Sequence, residues 1–163
     1  MSNTVNVQVT VFAYPTGPSD YGAIAFYSQT GLMVGGSSSG ATIVAQNGNI
    51  DLTPLPPGHQ KETDIILTLV GACLKSDGTF AQISWAPTMD QNSHSSAVFI
   101  ADANGNPTTQ IVASWNDGGQ TQILLDDQDN DSNTYSFKPA IVLPWNNNYF
   151  ISLDPVIRNG RAG

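Results

Sequence analysis

Val5-Asn6-Val7-Gln8-Val9-Thr10-Val11 alternates apolar and polar residues without a break. A period of two sends successive side chains to opposite faces, so this is a strand with its valines on a core and its polar residues outside. A half-buried strand is thus the first element of the fold. Tyr14 to Asp20, with Pro15, Gly17 and Pro18, must turn, and Ala23-Ile24-Ala25-Phe26-Tyr27 reads as a second, buried strand. Gly31, Gly35-Gly36 and Ser37-Ser38-Ser39-Gly40 punctuate a flexible stretch. Thr42-Ile43-Val44-Ala45 leads into Asn47-Gly48, a pair suited to a tight hairpin turn, and then into Asn49-Ile50-Asp51-Leu52.

Pro54, Pro56, Pro57 and Gly58 form an extended connection. Beyond it, apolar segments at 64–74, 80–86, 96–101, 108–114, 120–125, 135–143 and 148–157 are each bounded by turn residues such as Asp77-Gly78 or Asn104-Gly105-Asn106-Pro107. No window carries a helical apolar period. The expectation is a single domain over residues 1–163: an all-β, two-sheet antiparallel β-sandwich of jelly-roll or Greek-key type with about ten short strands.

Net charge is −8, from 13 acidic and 5 basic side chains, which argues against nucleic acid and anionic membranes as partners. No apolar run is long enough to insert in a bilayer. Met1-Ser2-Asn3-Thr4 leads straight into the first strand without a basic or apolar leader, so the expected location is cytoplasmic, with non-classical export left open. Only 11% of residues are charged, against ~25% for an average soluble domain, and amides and hydroxyls take up the difference. Such a surface suits hydroxyl-rich ligands or copies of the same chain.

Chemistry-bearing residues are sparse. Cys73 is the only cysteine and lies in an apolar run, which reads as an inert core thiol. His59 and His94 have no acidic or thiol neighbour at metal-ligand spacing, and Glu62 is the only glutamate, so no enzyme is expected. The densest acidic stretch, Asp126-Asp127-Gln128-Asp129-Asn130-Asp131-Ser132-Asn133, offers four carboxylates, Asp126, Asp127, Asp129 and Asp131, as oxygen ligands for Ca²⁺. It lacks the glycine and closing glutamate of an EF-hand, and a solvated acidic hairpin tip that repels strand edges is the alternative. Trp85, Trp115 and Trp145 each end a strand, where an indole caps a core or stacks on a sugar ring. Trp115-Asn116-Asp117 and Trp145-Asn146-Asn147 add amides and a carboxylate and are the candidate carbohydrate-binding residues.

Three segments resemble bacterial inclusion-body proteins of the AidA/PixA type: Pro15-Thr16-Gly17 followed by Tyr21-Gly22; Glu62-Thr63-Asp64-Ile65-Ile66-Leu67; and Phe150-Ile151-Ser152-Leu153-Asp154-Pro155-Val156-Ile157. The resemblance implies a cytoplasmic β-sandwich that accumulates and packs into inclusions, with no catalytic residues carried over. Two functions therefore stand as expectations. One is a non-enzymatic, lectin-like protein whose cofactor, if any, is Ca²⁺. The other is a self-assembling inclusion or structural protein without a small-molecule ligand. Either partner, glycan or a second copy, is compatible with a homo-oligomer of at least two chains.

Overall fold

The computed structural model describes residues 3–55, 62–128, 131–153 and 156–158. Pro56 to Gly58, His59, Asp129 and the tail from residue 159 onward lie outside the described residues. In chain order the strands are β1 (Asn3–Pro15), β2 (Tyr21–Val34), β3 (Ser37–Ser38), β4 (Ile50–Asp51), β5 (Thr63–Leu74), β6 (Phe80–Ala81), β7 (Ser84–Trp85), β8 (Val98–Ala101), β9 (Ile111–Trp115), β10 (Gln122–Asp127), β11 (Thr134–Leu143), β12 (Tyr149–Ser152) and β13 (Val156–Arg158). They form a two-sheet β-sandwich. A seven-stranded sheet runs β3-β2-β1-β5-β10-β9 with β6 on β5, and a six-stranded sheet runs β12-β11-β13-β4 with β7 and β8 also on β11. Among the described residues no helix is long and apolar enough to cross a membrane.

The alternation of β1 is realised as expected. Val5, Val7, Val9, Val11 and Ala13 are buried, and face Phe137, Ile141 and Leu143 of β11 across one continuous core. Two pairings depart from an antiparallel sandwich: β1 with β5, and β13 with β4, are parallel. Between β1 and β5 the chain leaves for the other sheet, where it forms β4, and it returns beside β1 running in the same direction. The expected 148–157 strand is two elements, β12 and β13, on different stretches of β11. The Ala23–Tyr27 strand extends to Val34 and is buried on one face only: Tyr27 is buried, whereas Ile24 and Phe26 are exposed.

Two glutamines stand in for peptide groups. Gln91 donates from Nε2 to the Ile111 carbonyl at 2.6 Å and accepts the Ala113 N–H at 2.7 Å, so its side-chain amide pairs with the open edge of β9. Gln29 does the same for Ala41 and Ile43 at 2.7 and 2.8 Å. An unpaired edge is a template for another chain's strand, and a side-chain amide closes it without extending the sheet. Replacing Gln91 by Ala strands one donor and one acceptor, and urea unfolding should show a loss of about 2 kcal/mol with an unchanged m-value.

Candidate functional site

Three regions could carry function: the tryptophan turns, the carboxylates, and the outer face of the larger sheet. At the β9–β10 turn, Asp117 accepts the backbone N–H groups of Thr121 and Gln122 at 2.9 and 3.1 Å and the Thr121 hydroxyl. The Thr121 hydroxyl, followed by these amides, holds the Asp117 carboxyl below its ordinary range. Asn116 donates to the Gln122 side-chain carbonyl at 2.9 Å. Trp115 stands opposite Ile123, on the core side of the sheet, and packs against the core. All three candidate sugar contacts thus also make contacts within the hairpin or with the core.

The β11–β12 turn is tied to its neighbours in the same way. Trp145 meets the edge of Tyr21 at 6.3 Å between centroids, Tyr21 meets Tyr149 at 5.9 Å, and the Lys75 ammonium lies 5.8 Å from the Trp145 ring centre. The Asn146 and Tyr149 N–H groups close the turn onto Leu143 and Asn146, and Asn147 takes a left-handed φ of 53°. A sugar stacking on Trp145 would compete with Lys75 for the ring. No contact joins Trp115 to Trp145 among the described residues, so the two candidate triads belong to separate turns. Trp85 is buried and donates its indole N–H to the Thr121 carbonyl at 3.0 Å.

The carboxylates are sorted by the pleat. Asp126 and Asp127 are consecutive on β10 and point to opposite faces. Asp127 is buried on the core side with Thr63 and Asn3 of the adjoining strands. Asp126 lies outside, opposite Asp64. Asp131 accepts from the Tyr135 hydroxyl at 2.5 Å. What the fold assembles is a different set: Glu62, Asp64 and Asp126 each bring a carboxylate oxygen within 4.8 Å of the others. These three could hold a hard cation such as Ca²⁺. Sequence spacing hid the set, because it joins β10 to β5 and the residue just before β5, which are distant in sequence.

The negative charge of Asp126 raises Glu62 above its ordinary range, and burial, then Asp126, raises Asp64. A carboxyl with a raised folded-state pKa binds its proton more tightly folded than unfolded. Its contribution therefore falls as pH rises from about 4 through the raised value. Asp126→Asn should remove much of this repulsion, raising the melting temperature at neutral pH while changing it little at pH 3. Melting curves of the two proteins across that window measure it.

The third region is the outer face of the seven-stranded sheet. Phe12, Ile24, Phe26, Met33, Val70, Phe80 and Val112 are exposed and all lie on it, leaving only Phe150 among the exposed large apolar side chains of the described residues elsewhere. Phe12 is the centre. It stands opposite Ile24 and packs its ring 6.2 Å from Tyr14 and 6.3 Å from Phe80, while Phe26 and Val70 flank Thr10 one step along. The charged residues on the outward face of these strands are Asp64 and Asp126, together in one corner. The sequence does carry this signal: β1 breaks its alternation at Val11-Phe12-Ala13, and Ala23–Tyr27 is apolar on both phases.

Cys73 is buried, its thiol raised by burial, and it donates weakly to the Leu74 carbonyl at 3.4 Å. His94 stacks on Phe99 with ring centres 3.9 Å apart. No family model matches the chain, and no curated protein matches it.

Proposed function

We propose that this protein is a non-enzymatic, self-associating β-sandwich whose copies meet through the outer face of the seven-stranded sheet. The observation that carries the reading is the gathering of Phe12, Ile24, Phe26, Val70 and Phe80 on one uncharged area of an exposed sheet face. Exposed apolar patches of this kind mark interaction sites on soluble proteins. The partner that fits is a second copy, because an apolar patch is complementary to itself across a two-fold axis. Three strands of about 40 Å (β2, β1 and β5) and two of about 20 Å (β10 and β9) at ~4.8 Å spacing give roughly 800 Å² of face, which matches the ~800 Å² per partner of a stable interface.

Gln91 occupies the β9 edge and disfavours edge-to-edge growth there. The apolar outer face makes the association face to face. The resemblance to inclusion-body proteins agrees with a chain that packs at high concentration. Ca²⁺ at Glu62, Asp64 and Asp126 would neutralise the one charged corner of this face and so favour contact.

Sedimentation velocity over a wide concentration range tests the reading. The protein should sediment as a dimer or larger species, and the triple variant Phe12→Ser, Phe26→Ser, Phe80→Ser as a monomer, with a dissociation constant at least ~100-fold higher. The triple variant should still unfold in one cooperative transition, because the removed rings lie on the outer face and each residue is more than a third exposed. A wild-type chain that stays monomeric throughout would sink the proposal.

A further inference from the structure

A groove of about 270 Å³ opens where the two sheets part, between Leu69 and Gly71 of β5, the Gln82–Trp85 segment, and the Gly119–Thr121 tip of the β9–β10 hairpin. None of its lining residues is charged. We infer that this groove binds one ring of an uncharged, hydroxyl-rich ligand, a neutral pyranose.

Three observations carry the inference. The first is the inventory of free polar groups. Gln82, Ser84 and Gln120 line the groove, are exposed, and hydrogen-bond through their side chains to no described residue, whereas the Thr121 hydroxyl is held by Asp117 and the Trp85 indole N–H by the Thr121 carbonyl. Each free amide presents one acceptor and two donors, the complement of adjacent sugar hydroxyls. The second is the absence of a countercharge, which leaves an ionic ligand unpaired while a neutral polyol loses little on entering. Leu69 and the side-chain-free backbone of Gly71 are the apolar part of the lining on the β5 side.

The third is the backbone of Gln120, which is left-handed, with φ 57°. A non-glycine residue is uncommon there and costs energy unless its surroundings hold it. Asp117 and Trp85 do so: the first accepts the Gln120, Thr121 and Gln122 N–H groups through its backbone and side-chain oxygens, and the second ties Thr121 to β7. The sequence-read candidates Trp115, Asn116 and Asp117 thus build and position one wall, and the contacting groups are Gln120, Gln82 and Ser84. The volume lies just below the ~300 Å³ lower bound of typical small-molecule sites, which fits a single ring.

This inference does not rest on self-association, and the test is made on the Phe12→Ser, Phe26→Ser, Phe80→Ser background as well as on the native chain. Amide ¹H–¹⁵N spectra are recorded while glucose, galactose, mannose and N-acetylglucosamine are added singly, with glucuronate and glucosamine as charged counterparts. At least one neutral sugar should give saturable shifts centred on Gly71, Gln82–Trp85 and Gly119–Thr121. The charged counterparts should bind less tightly. Gln82→Ala and Gln120→Asn should each weaken binding tenfold or more without altering the rest of the spectrum. Asparagine at 120 shortens the amide while tolerating the left-handed backbone, which keeps the fold out of the comparison. Shifts confined to the Trp145–Asn148 turn, tighter binding of a charged analogue, or no saturable shift with any of the four neutral sugars would each overturn the assignment.

Discussion

Replacing Gly71 by alanine should lower the stability of the protein by about 3 kcal/mol or more, a fall of roughly 10 °C in melting temperature for a chain of this size. The position is exposed, three residues before the end of β5, where a surface substitution would ordinarily change little. Its backbone takes φ +145°, a region essentially reserved for glycine, and lies directly against its partner Val11 in β1. A Cβ there would stand 1.8 Å from the Val11 carbonyl oxygen and 2.8 Å from its carbon. Both are backbone atoms, so relief requires the β1 and β5 strands to separate along the longest parallel pairing of the sheet. Gly40→Ala is the control: nothing lies within 4 Å of its added methyl and its φ is not positive. That variant should be unchanged or gain up to about 1 kcal/mol through the unfolded chain. Urea titrations of the two variants side by side measure the contrast, and equal losses would mean that β1 and β5 do not approach this closely.

How far the sequence revealed this molecule depends on whether a feature is local in the chain. The strand alternation of Val5 to Val11 and the Asn47-Gly48 turn are local, and both appear where the pattern places them; Gly48 is left-handed at φ 96° and donates to the Ala45 carbonyl at 2.9 Å. The parallel β1–β5 pair depends on the intervening chain crossing to the other sheet, which no short window records. For Ala23–Tyr27 the pattern was visible but ambiguous. A run apolar on both phases says that both faces avoid water, not whether the second face meets another layer of the same chain or stands open, as Ile24 and Phe26 do.

The acidic stretch marks the same boundary. Adjacency in sequence gathered Asp126, Asp127, Asp129 and Asp131, but in a strand adjacent residues are those that part company, and cross-strand partners are those that meet. Hence Asp126 joins Asp64 and Glu62 while Asp127 turns into the core. The tryptophan-edged turns were legible as places, and the contacts that hold them were not. Those contacts come from residues elsewhere in the chain: the Thr121 carbonyl for Trp85, and the Tyr21 ring and Lys75 ammonium for Trp145.

Trp85 is where fold and groove meet, and its substitutions should separate the two. The ring is 3% exposed, sits on β7 beside Ile141 of β11, and reaches across to the Thr121 carbonyl on the other sheet. Trp85→Ala removes a buried aromatic and leaves a cavity between the sheets, at an expected cost of about 4 kcal/mol. Trp85→Phe keeps most of the apolar volume and deletes the indole N–H. Thr121 is exposed, so its carbonyl can turn to water, and the cost should stay near 1 kcal/mol. If the indole N–H fixes the hairpin tip, the phenylalanine variant should nonetheless exchange the Gln120 and Thr121 amide protons markedly faster than the native chain, with the core strands unaffected. Hydrogen exchange alongside urea unfolding reads both quantities from the same samples. A phenylalanine variant as unstable as the alanine one would make the hydrogen bond, not the packing, the dominant tie between the sheets at this edge. Unchanged exchange at Gln120 would leave Asp117 as the group that holds the hairpin by itself.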